Sequence, residues 1–303
     1  MVTDDSQAPD QGRREHYGEF YELSRTEDAP IGVVVGNCQA ESLRQTFPDS
    51  VAWIRIPPVH EITAYDLPYL ERLLDRTDAL VSQPVRDDYH GMPLGTRQLF
   101  ARLRPGSVSA VMPVIRFAGL YPRHVIVRPP SDPSLNPPLV GYHDLHTMAE
   151  AAGTPLPELT VAASRAIAEL SQHELRSREQ KHNAVAISDL FTTPNFELMR
   201  TINHPGNPLW EVLAARVADR LGISGAPIDV GRPLLNAVHA PRQQVVIDAW
   251  GVDAAATTDW IIDGTAISDA ELRRLHLAWY AEHPDVLAAG LQRHERAIGV
   301  LAG

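Results

Sequence analysis

The sequence predicts an α/β protein with a parallel sheet flanked by helices and a mostly helical C-terminal half. Three observations predict it: short β-branched apolar runs, helical segments that alternate with them, and helical character from about residue 145 onward. Apolar runs of this kind are typical of strands that are buried on both faces of a parallel sheet. Strands that alternate with helices in turn predict parallel pairing through right-handed crossovers.

Four strands separated by helices are expected in the first half. Each predicted strand is apolar and is followed by a turn-forming or polar segment; the strands cover residues 31–35, 51–56, 79–82 and 108–112. Between them, apolar residues recur at helical spacing, as the leucines of the second helix do. These helices cover residues 40–47, 67–76 and 96–103.

Helices are also expected over residues 158–180, 207–221 and 268–282, with a short strand at 245–247. Asn207 has the position of an N-cap, and Ser268 that of the cap of the last helix. The proline-rich stretch 129–138 predicts a surface loop between the two halves. Residues 1–28 are polar and without periodicity, which predicts a flexible N-terminal tail, and residues 29–303 then form a single domain.

The composition excludes several classes of protein. The chain has 303 residues, 44% of them hydrophobic and 21% charged, as is usual for a globular protein. Its net charge of −11 argues against a nucleic-acid partner, which needs a basic face. No apolar run is long enough for a membrane span, and the acidic start is unlike a signal peptide. A single cysteine cannot form an internal disulfide. We therefore expect a soluble cytoplasmic protein. The sequence does not indicate its oligomeric state.

Cys38 is the candidate nucleophile. It follows the first predicted strand directly and stands at the start of the next helix. Ligands of open parallel sheets bind at the carboxyl ends of the strands, and the positive end of a helix lowers the pKa of a thiol. Nearby backbone amides could hold an oxyanion, and Gly36 permits the tight turn. The alternative is that Cys38 is a small buried hydrophobe.

His204 is the candidate base, because it precedes the helix at Asn207 in a turn that could hold an exposed side chain rigidly. The alternative is a surface residue at the entry to that helix. His143 and His146 have the spacing of a metal-binding pair, but no third ligand is evident nearby, so no metal is expected. His90 could contact a substrate, although an exposed loop histidine accounts for it as well.

Five segments in the same order carry a resemblance to a known family. They are Gly36-Asn37-Cys38-Gln39, Gln83-Pro84, Met112-Pro113 with Phe117 to Pro122, Tyr142-His143-Asp144 and Asn203-His204-Pro205. Over residues 31–290 the chain resembles the WcbI-type polysaccharide-biosynthesis acetyltransferases. The resemblance implies a fold similar to SGNH/GDSL hydrolases, coenzyme A as the bound acyl carrier, and acyl transfer, with O-acetylation of a sugar as the first candidate.

The resemblance also implies roles for individual residues. Cys38 stands where SGNH enzymes have their nucleophilic serine, His204 is the general base, and Gln83 stands where those enzymes have an oxyanion-hole asparagine. The turn residues Gly36, Asn37 and Gln39 are expected to contact the coenzyme. SGNH enzymes carry an aspartate three residues before the histidine, and this chain has Thr201 there. A Cys-His dyad is therefore expected, or a third member from elsewhere, for which Asp189 is the candidate.

The resulting hypothesis is an acyltransferase that takes acyl-CoA and a sugar or small-molecule acceptor. Arg86 and Arg116, near predicted strand ends, are candidates for the phosphates of coenzyme A, and His90 for a further contact. Two alternatives stay open. A thioesterase or esterase would use the same acyl-enzyme with water as the acceptor, and a non-catalytic protein would bind acyl-CoA or sugar without turnover.

Overall fold

The computed structural model describes residues 8–24 and 29–303. The chain divides into two compact units. Unit 1 comprises Met1–Val114, Ser177–Ile187 and Asn207–Leu234, and unit 2 comprises Ile115–Arg176, Ser188–Gly206 and Leu235–Gly303. The expectation of a single domain over residues 29–303 stays a prediction.

In chain order, the strands are β1 (Ile31–Val35), β2 (Ala52–Ile54), β3 (Ala79–Ser82), β4 (Val108–Val111), β5 (His124–Val125), β6 (His143–Asp144), β7 (Met199–Thr201), β8 (His204–Pro205), β9 (Val238–His239), β10 (Asp259–Ile262) and β11 (Thr265–Ser268). The α-helices are α1 (Gln11–His16), α2 (Cys38–Thr46), α3 (Leu67–Leu74), α4 (Thr96–Ala101), α5 (Leu145–Ala151), α6 (Val161–His182), α7 (Asn207–Leu221), α8 (Gln244–Trp250), α9 (Asp269–Glu282), α10 (Pro284–Arg293) and α11 (Glu295–Ala302). One short 3₁₀ helix covers Ser188–Phe191.

Unit 1 contains a four-stranded parallel sheet in the order β2-β1-β3-β4. The two central strands are buried almost throughout; Val33, Val35, Leu80 and Val81 have no exposed surface. This burial explains their unbroken β-branched and aliphatic sequence, because a central parallel strand has no solvent face. The α/β class, the parallel sheet and the helix-rich C-terminal half are confirmed.

Residues 8–24, which were expected to belong to a disordered or loosely docked tail, pack within unit 1. Phe20 and Tyr21 are 1% and 2% exposed and belong to the hydrophobic core. The Tyr21 hydroxyl donates to Asp66 Oδ1 at 2.7 Å, and the Arg13 guanidinium donates to the Glu61 carbonyl at 2.9 Å. Two aromatic side chains thus anchor a segment that is otherwise polar. The rest of the predicted tail, residues 1–7 and 25–28, lies outside the described residues.

Unit 2 combines helices with short antiparallel strands. Its strands pair as β5-β6, β7-β8 and β11-β10-β9, and its core includes Leu145, Met148, Trp279 and Tyr280. The predicted strand at 245–247 is wrong, since this segment lies in helix α8. Its apolar residues Val246 and Ile247 are buried on that helix, which ends at Gly251 in the left-handed conformation.

Asn207 was expected to cap a helix, but its side chain has another role. In unit 1, its Oδ1 accepts from the N–H of Leu234 and its Nδ2 donates to the carbonyl of Arg232, both at 2.9 Å. Asn207 therefore holds the 232–234 loop. The cap predicted at Ser268 is confirmed, because its hydroxyl accepts from the N–H of Glu271 at 3.1 Å. Over residues 8–24 and 29–303, the helices are too short or too polar to cross a membrane.

Candidate functional site

The order of the strands creates a switch point between β1 and β3. From β1 the chain continues to β2 on one side, and β3 then pairs on the other side of β1. Connections that leave neighbouring strands in opposite directions open a crevice at their carboxyl ends, which is where ligands bind in open α/β sheets. Gly36, Asn37 and Cys38 follow β1 at this edge, and Gln83 follows β3.

Cys38 is the first residue of helix α2, and its side chain is exposed. The residue before it, Asn37, has an extended backbone, and its Oδ1 accepts from the N–H of Gln39 at 2.9 Å. This is the N-cap interaction that satisfies an amide of the first helical turn. The cap therefore fixes the backbone from which the Cys38 side chain projects.

Gln83 joins the end of β3 to this turn. Its side-chain Oε1 accepts from the N–H of Asn37 at 2.9 Å, and its Nε2 donates to Gln39 Oε1 at 3.0 Å. The hydroxyl of Thr96 donates to the Gln83 carbonyl at 2.7 Å. A Cβ added to Gly36 would lie 2.4 Å from Gln83 Oε1, so only glycine fits this position without a shift. The structure thus brings Gly36, Asn37, Cys38, Gln39 and Gln83 together, while the oxyanion role of Gln83 stays a prediction.

The surroundings of Cys38 raise the pKa of its thiol. Desolvation is the largest cause, because protein surrounds the sulfur closely although the side chain remains accessible to solvent. The backbone N–H groups of Gln39 and of Cys38 itself act in the opposite direction. The expectation of a lowered thiol pKa is therefore wrong. The amides of the first helical turn lower the pKa of the thiol, but desolvation raises it by more.

His204 lies on β8, opposite Thr201 of β7, and is half-buried. Burial lowers the pKa of its imidazole to about 4, and the positive charges of Arg200 and His239 lower it further. Only an interaction with the backbone of Val238 acts in the opposite direction. Its Nδ1 is buried and has no hydrogen-bond partner in the described part of the chain. The imidazole is therefore neutral at pH 7.

A buried polar network fixes the turn that carries His204. The Thr201 hydroxyl donates to the Tyr142 hydroxyl at 2.8 Å, which donates to Asn203 Oδ1 at 2.7 Å. Thr201 has no exposed surface, and the Tyr142 ring meets the His204 ring edge-on at 5.9 Å between centroids. Thr201 thus has a structural role at the position where an aspartate was expected. This contact could not be predicted from the sequence, although Tyr142 belongs to one of the five segments.

The other predicted residues have contacts of their own. Arg86 and His90 are exposed in the loop after β3, where both contact Tyr89. Arg116 is exposed in unit 2, and its charge lowers the pKa of His294.

Asp189 is exposed in the 3₁₀ helix, and the charges that act on His204 come from Arg200 and His239 instead. The role of Asp189 as a third member of the catalytic set stays a prediction. The coenzyme contacts of Arg86, His90 and Arg116 stay predictions.

The paired histidines His143 and His146 bond within the protein. His143 Nε2 donates to the Val127 carbonyl at 3.1 Å and its Nδ1 accepts from the Tyr280 hydroxyl at 2.7 Å, in the neutral tautomer that a carbonyl partner requires. His146 Nε2 donates to the Pro157 carbonyl at 2.8 Å. Among the residues with described positions, no three His, Cys, Asp or Glu side chains are grouped as metal ligands.

Fold and site together define an α/β protein with an exposed cysteine at the switch point of its parallel sheet. A family model described as polysaccharide biosynthesis enzyme WcbI matches residues 31–226. The chain belongs to this family of polysaccharide biosynthesis enzymes, and the family expected from its five segments is confirmed.

A solved structure of WcbI supports the same fold. It matches with a TM-score of 0.71 and 17% sequence identity, covering 91% of this chain and 100% of the other. It is described as a novel polysaccharide biosynthesis enzyme, in its native form without a disulfide bond between coenzyme A and a cysteine. No curated protein matches the chain.

Proposed function

We propose that this enzyme transfers an acyl group from acyl-CoA to Cys38 and then to an acceptor, with a sugar hydroxyl as the first candidate. The observation that carries the proposal is the position of Cys38. It is an exposed thiol at the first residue of α2, directly beyond the central strand β1, in a turn that Asn37 and Gln83 hold. Nucleophiles of acyl transfer need this combination of exposure and a fixed backbone.

In the first half-reaction, His204 takes the thiol proton of Cys38 and the sulfur attacks the acyl carbonyl carbon. A new C–S bond forms to Cys38 as the carbonyl becomes a tetrahedral oxyanion. The backbone N–H of Cys38, whose effect already reaches the sulfur, is the proposed donor to this oxyanion, because the N–H of Gln39 donates to Asn37 Oδ1. The bond to the coenzyme sulfur then breaks, and His204 returns the proton to the departing thiolate.

In the second half-reaction, His204 accepts the proton of the acceptor hydroxyl or amine as that group attacks the acyl-cysteine. The bond between the acyl carbon and Cys38 breaks, and the cysteine thiolate regains the proton from His204. The neutral imidazole of His204, whose Nδ1 has no hydrogen-bond partner among the described residues, supports the role of base. The proposal uses a Cys-His dyad and gives Asp189 no part.

The choice of carrier and acceptor draws on the relatives. The related WcbI structure is described with reference to a disulfide between coenzyme A and a cysteine, which supports coenzyme A as the carrier here. Cys38 is the only cysteine of this chain that could face the coenzyme sulfur. The family description as polysaccharide biosynthesis enzymes supports a sugar hydroxyl as the acceptor.

The test is intact-protein mass spectrometry after brief incubation with acetyl-CoA. Wild-type protein should gain one acetyl group, Cys38→Ala should gain none, and His204→Ala should gain it far more slowly. His173→Ala is the matched control, because His173 is an exposed histidine on helix α6. Its acetylation should match that of wild type.

The outcomes separate the alternatives. An acetyl group that remains in Cys38→Ala would exclude the cysteine nucleophile. An acetyl-cysteine that decays to acetate equally fast with and without sugar acceptors would support the hydrolase instead. Coenzyme A binding without any acetyl adduct, in wild type as in the variants, would overturn the proposal in favour of a binding protein or direct transfer.

A further inference from the structure

Four basic side chains lie together around the short strands of unit 2 and form what we call the basic cluster. Its members are Arg200 on β7, His204 on β8, His239 on β9 and Arg242 three residues further on. Backbone bonds connect these segments: β7 pairs with β8, and the Arg200 carbonyl accepts from the N–H of Ala240 at 3.0 Å. All four side chains are half-buried, so each keeps a surface that faces solvent.

The members of the basic cluster act on one another electrostatically. Arg200 and Arg242 both lower the pKa of His239, and Arg200 and His239 both lower that of His204. The same two arginines oppose the rise in pKa that burial causes at the Tyr121 phenol. No carboxylate is among the groups that shift the pKa of either histidine in the part of the chain that the structure describes. The local potential is therefore positive around three titratable side chains.

Contacts within unit 2 hold both arginines of the basic cluster in place. The Arg200 side chain donates through Nη1 to the Pro205 carbonyl at 3.1 Å. The Arg242 guanidinium carbon lies 5.2 Å from the centre of the Phe196 ring. A guanidinium that stacks on a ring uses its face, and its N–H edge stays available for a planar oxyanion.

We propose that the basic cluster binds a phosphate or carboxylate group of a substrate, with Arg200, Arg242 and His239 as the ligands. The proposal deepens the proposed function and rests on it for the identity of the substrate. Two substrates could carry the anion, namely the coenzyme, through one of its phosphates, or an acidic acceptor.

Anion binding here would also activate the base. A base with a pKa of about 4 takes a proton poorly from a thiol whose own pKa is raised. Burial is the largest cause of this low pKa, and Arg200 and His239 add to it, so a bound anion would raise the pKa of His204 by offsetting the electrostatic part. The ligand-free enzyme therefore holds His204 as a weak base, and the substrate that supplies the anion makes it a stronger one. Discharge of the coenzyme without a correctly bound substrate is thereby slowed.

The test uses inorganic phosphate as the probe and the full chain as the sample. Histidine side-chain NMR follows the pKa values of His239 and His204 with sodium phosphate or sodium chloride at constant ionic strength, with assignments from His239→Gln and His204→Ala. Phosphate should raise both pKa values in wild type. Arg242→Gln should weaken phosphate binding about tenfold or more, because a charge-assisted pair of hydrogen bonds is lost.

Two variants serve as controls for this comparison. Arg242→Lys keeps the charge and the contact with Phe196 but not the planar fork, so its phosphate affinity should lie between those of wild type and Arg242→Gln. Arg102→Gln removes an exposed arginine that pairs with Glu71 in unit 1, and it should bind phosphate as wild type does. Unfolding temperatures of all variants show whether each remains folded.

Calorimetry with coenzyme A identifies the source of the anion. If the coenzyme supplies it, coenzyme A should bind about tenfold more weakly to Arg242→Gln and phosphate should compete with coenzyme A. If the acceptor supplies it, coenzyme A should bind both proteins equally and phosphate should bind in its presence. Either result supports the basic cluster as an anion site.

The proposal is overturned if phosphate shifts neither histidine pKa, or shifts them equally in wild type and in a folded Arg242→Gln. Neither measurement requires turnover, so this outcome would leave the acetyl-cysteine experiment unaffected. Conversely, phosphate binding without any acetyl-cysteine would contradict the proposed function and still support the anion site.

Discussion

The Oε1 of Gln83 accepts a hydrogen bond from the backbone N–H of Asn37 at 2.9 Å. Gln83 follows β3 and Asn37 follows β1, so this bond joins the two chain segments at the switch point of the sheet. Because Gln83 is only 3% exposed, the bond is protected from competition by water. The residue before the nucleophile is thus positioned by a side chain from the neighbouring strand end.

This close approach predicts the effect of enlarging Gly36. Gly36→Ala would place a Cβ 2.4 Å from Gln83 Oε1 and 3.0 Å from the Cβ of Ala40. Gln83 would have to move, which breaks its bonds to Asn37 and Gln39. We expect the free energy of unfolding in urea to fall by about 1–3 kcal/mol and acetylation of Cys38 to slow. Gly299→Ala is the control, because nothing lies within 4 Å of that Cβ. Equal stability of both variants would contradict the packing at Gly36.

The thiol of Cys38 should react in the alkaline range. Its raised pKa means that the thiolate fraction of the free enzyme is small at pH 7 and increases through pH 9 and above. The rate of alkylation by iodoacetamide, followed by mass spectrometry from pH 6 to 10, should therefore rise with pH without a plateau below about pH 9. A free thiol such as glutathione, measured alongside, gives the reference curve. A plateau near pH 7 would mean that the helix amides outweigh desolvation after all.

The sheet could be predicted from the sequence because the central strands carry their own signal. The run 31–35 and the strand 79–82 are buried on both faces, so nearly every residue is apolar. The segment 245–247 has similar composition but lies in helix α8. Three residues are too few to distinguish the period of a strand from that of a helix. The segment is helical, and Val246 and Ile247 are buried on that helix.

The site was predictable only where a residue lies next to a recognisable element. Cys38 follows a clear strand, and its position could be inferred from that strand alone. The pKa of its thiol depends on how much protein surrounds it, which no local pattern contains. Arg200, His239 and Arg242 meet through pairings between short strands, and Thr201 meets Tyr142 across 59 residues of chain. Such contacts exist only in the folded protein.

The network around Tyr142 predicts a positioning effect on His204. Tyr142→Phe removes the hydroxyl that accepts from Thr201 and donates to Asn203. We expect the free energy of unfolding to fall by about 1–2 kcal/mol and the acetylation rate of Cys38 to drop, with coenzyme A affinity unchanged.

Tyr69→Phe provides the matched control for that substitution, because the Tyr69 hydroxyl lies 3.5 Å from the Tyr65 hydroxyl in unit 1. Its stability should change by less than about 0.5 kcal/mol. Loss of coenzyme A affinity in Tyr142→Phe, or an acetylation rate equal to that of wild type, would contradict a positioning role.

Buried histidines predict that mild acid destabilises unit 2. Burial lowers the pKa values of His124 and His143 to about 4, against about 6.5 in an unfolded chain. Between pH 6.5 and 4 the unfolded chain binds more protons than the folded one, so stability falls as the pH falls. The contribution is fully present above about pH 6.5 and lost near pH 4, and it amounts to roughly 3 kcal/mol for each histidine.

Urea unfolding between pH 8 and 4.5 measures this dependence, and one substitution assigns it. His143→Gln should lower stability at pH 8, because the bonds to Tyr280 and Val127 are disturbed, and it should also flatten the decline toward acid. His173→Gln changes an imidazole that is solvated in both states and should follow the wild-type profile. If His143→Gln declines as steeply as wild type, protonation of this histidine does not drive the loss of stability, and carboxylates elsewhere must account for it.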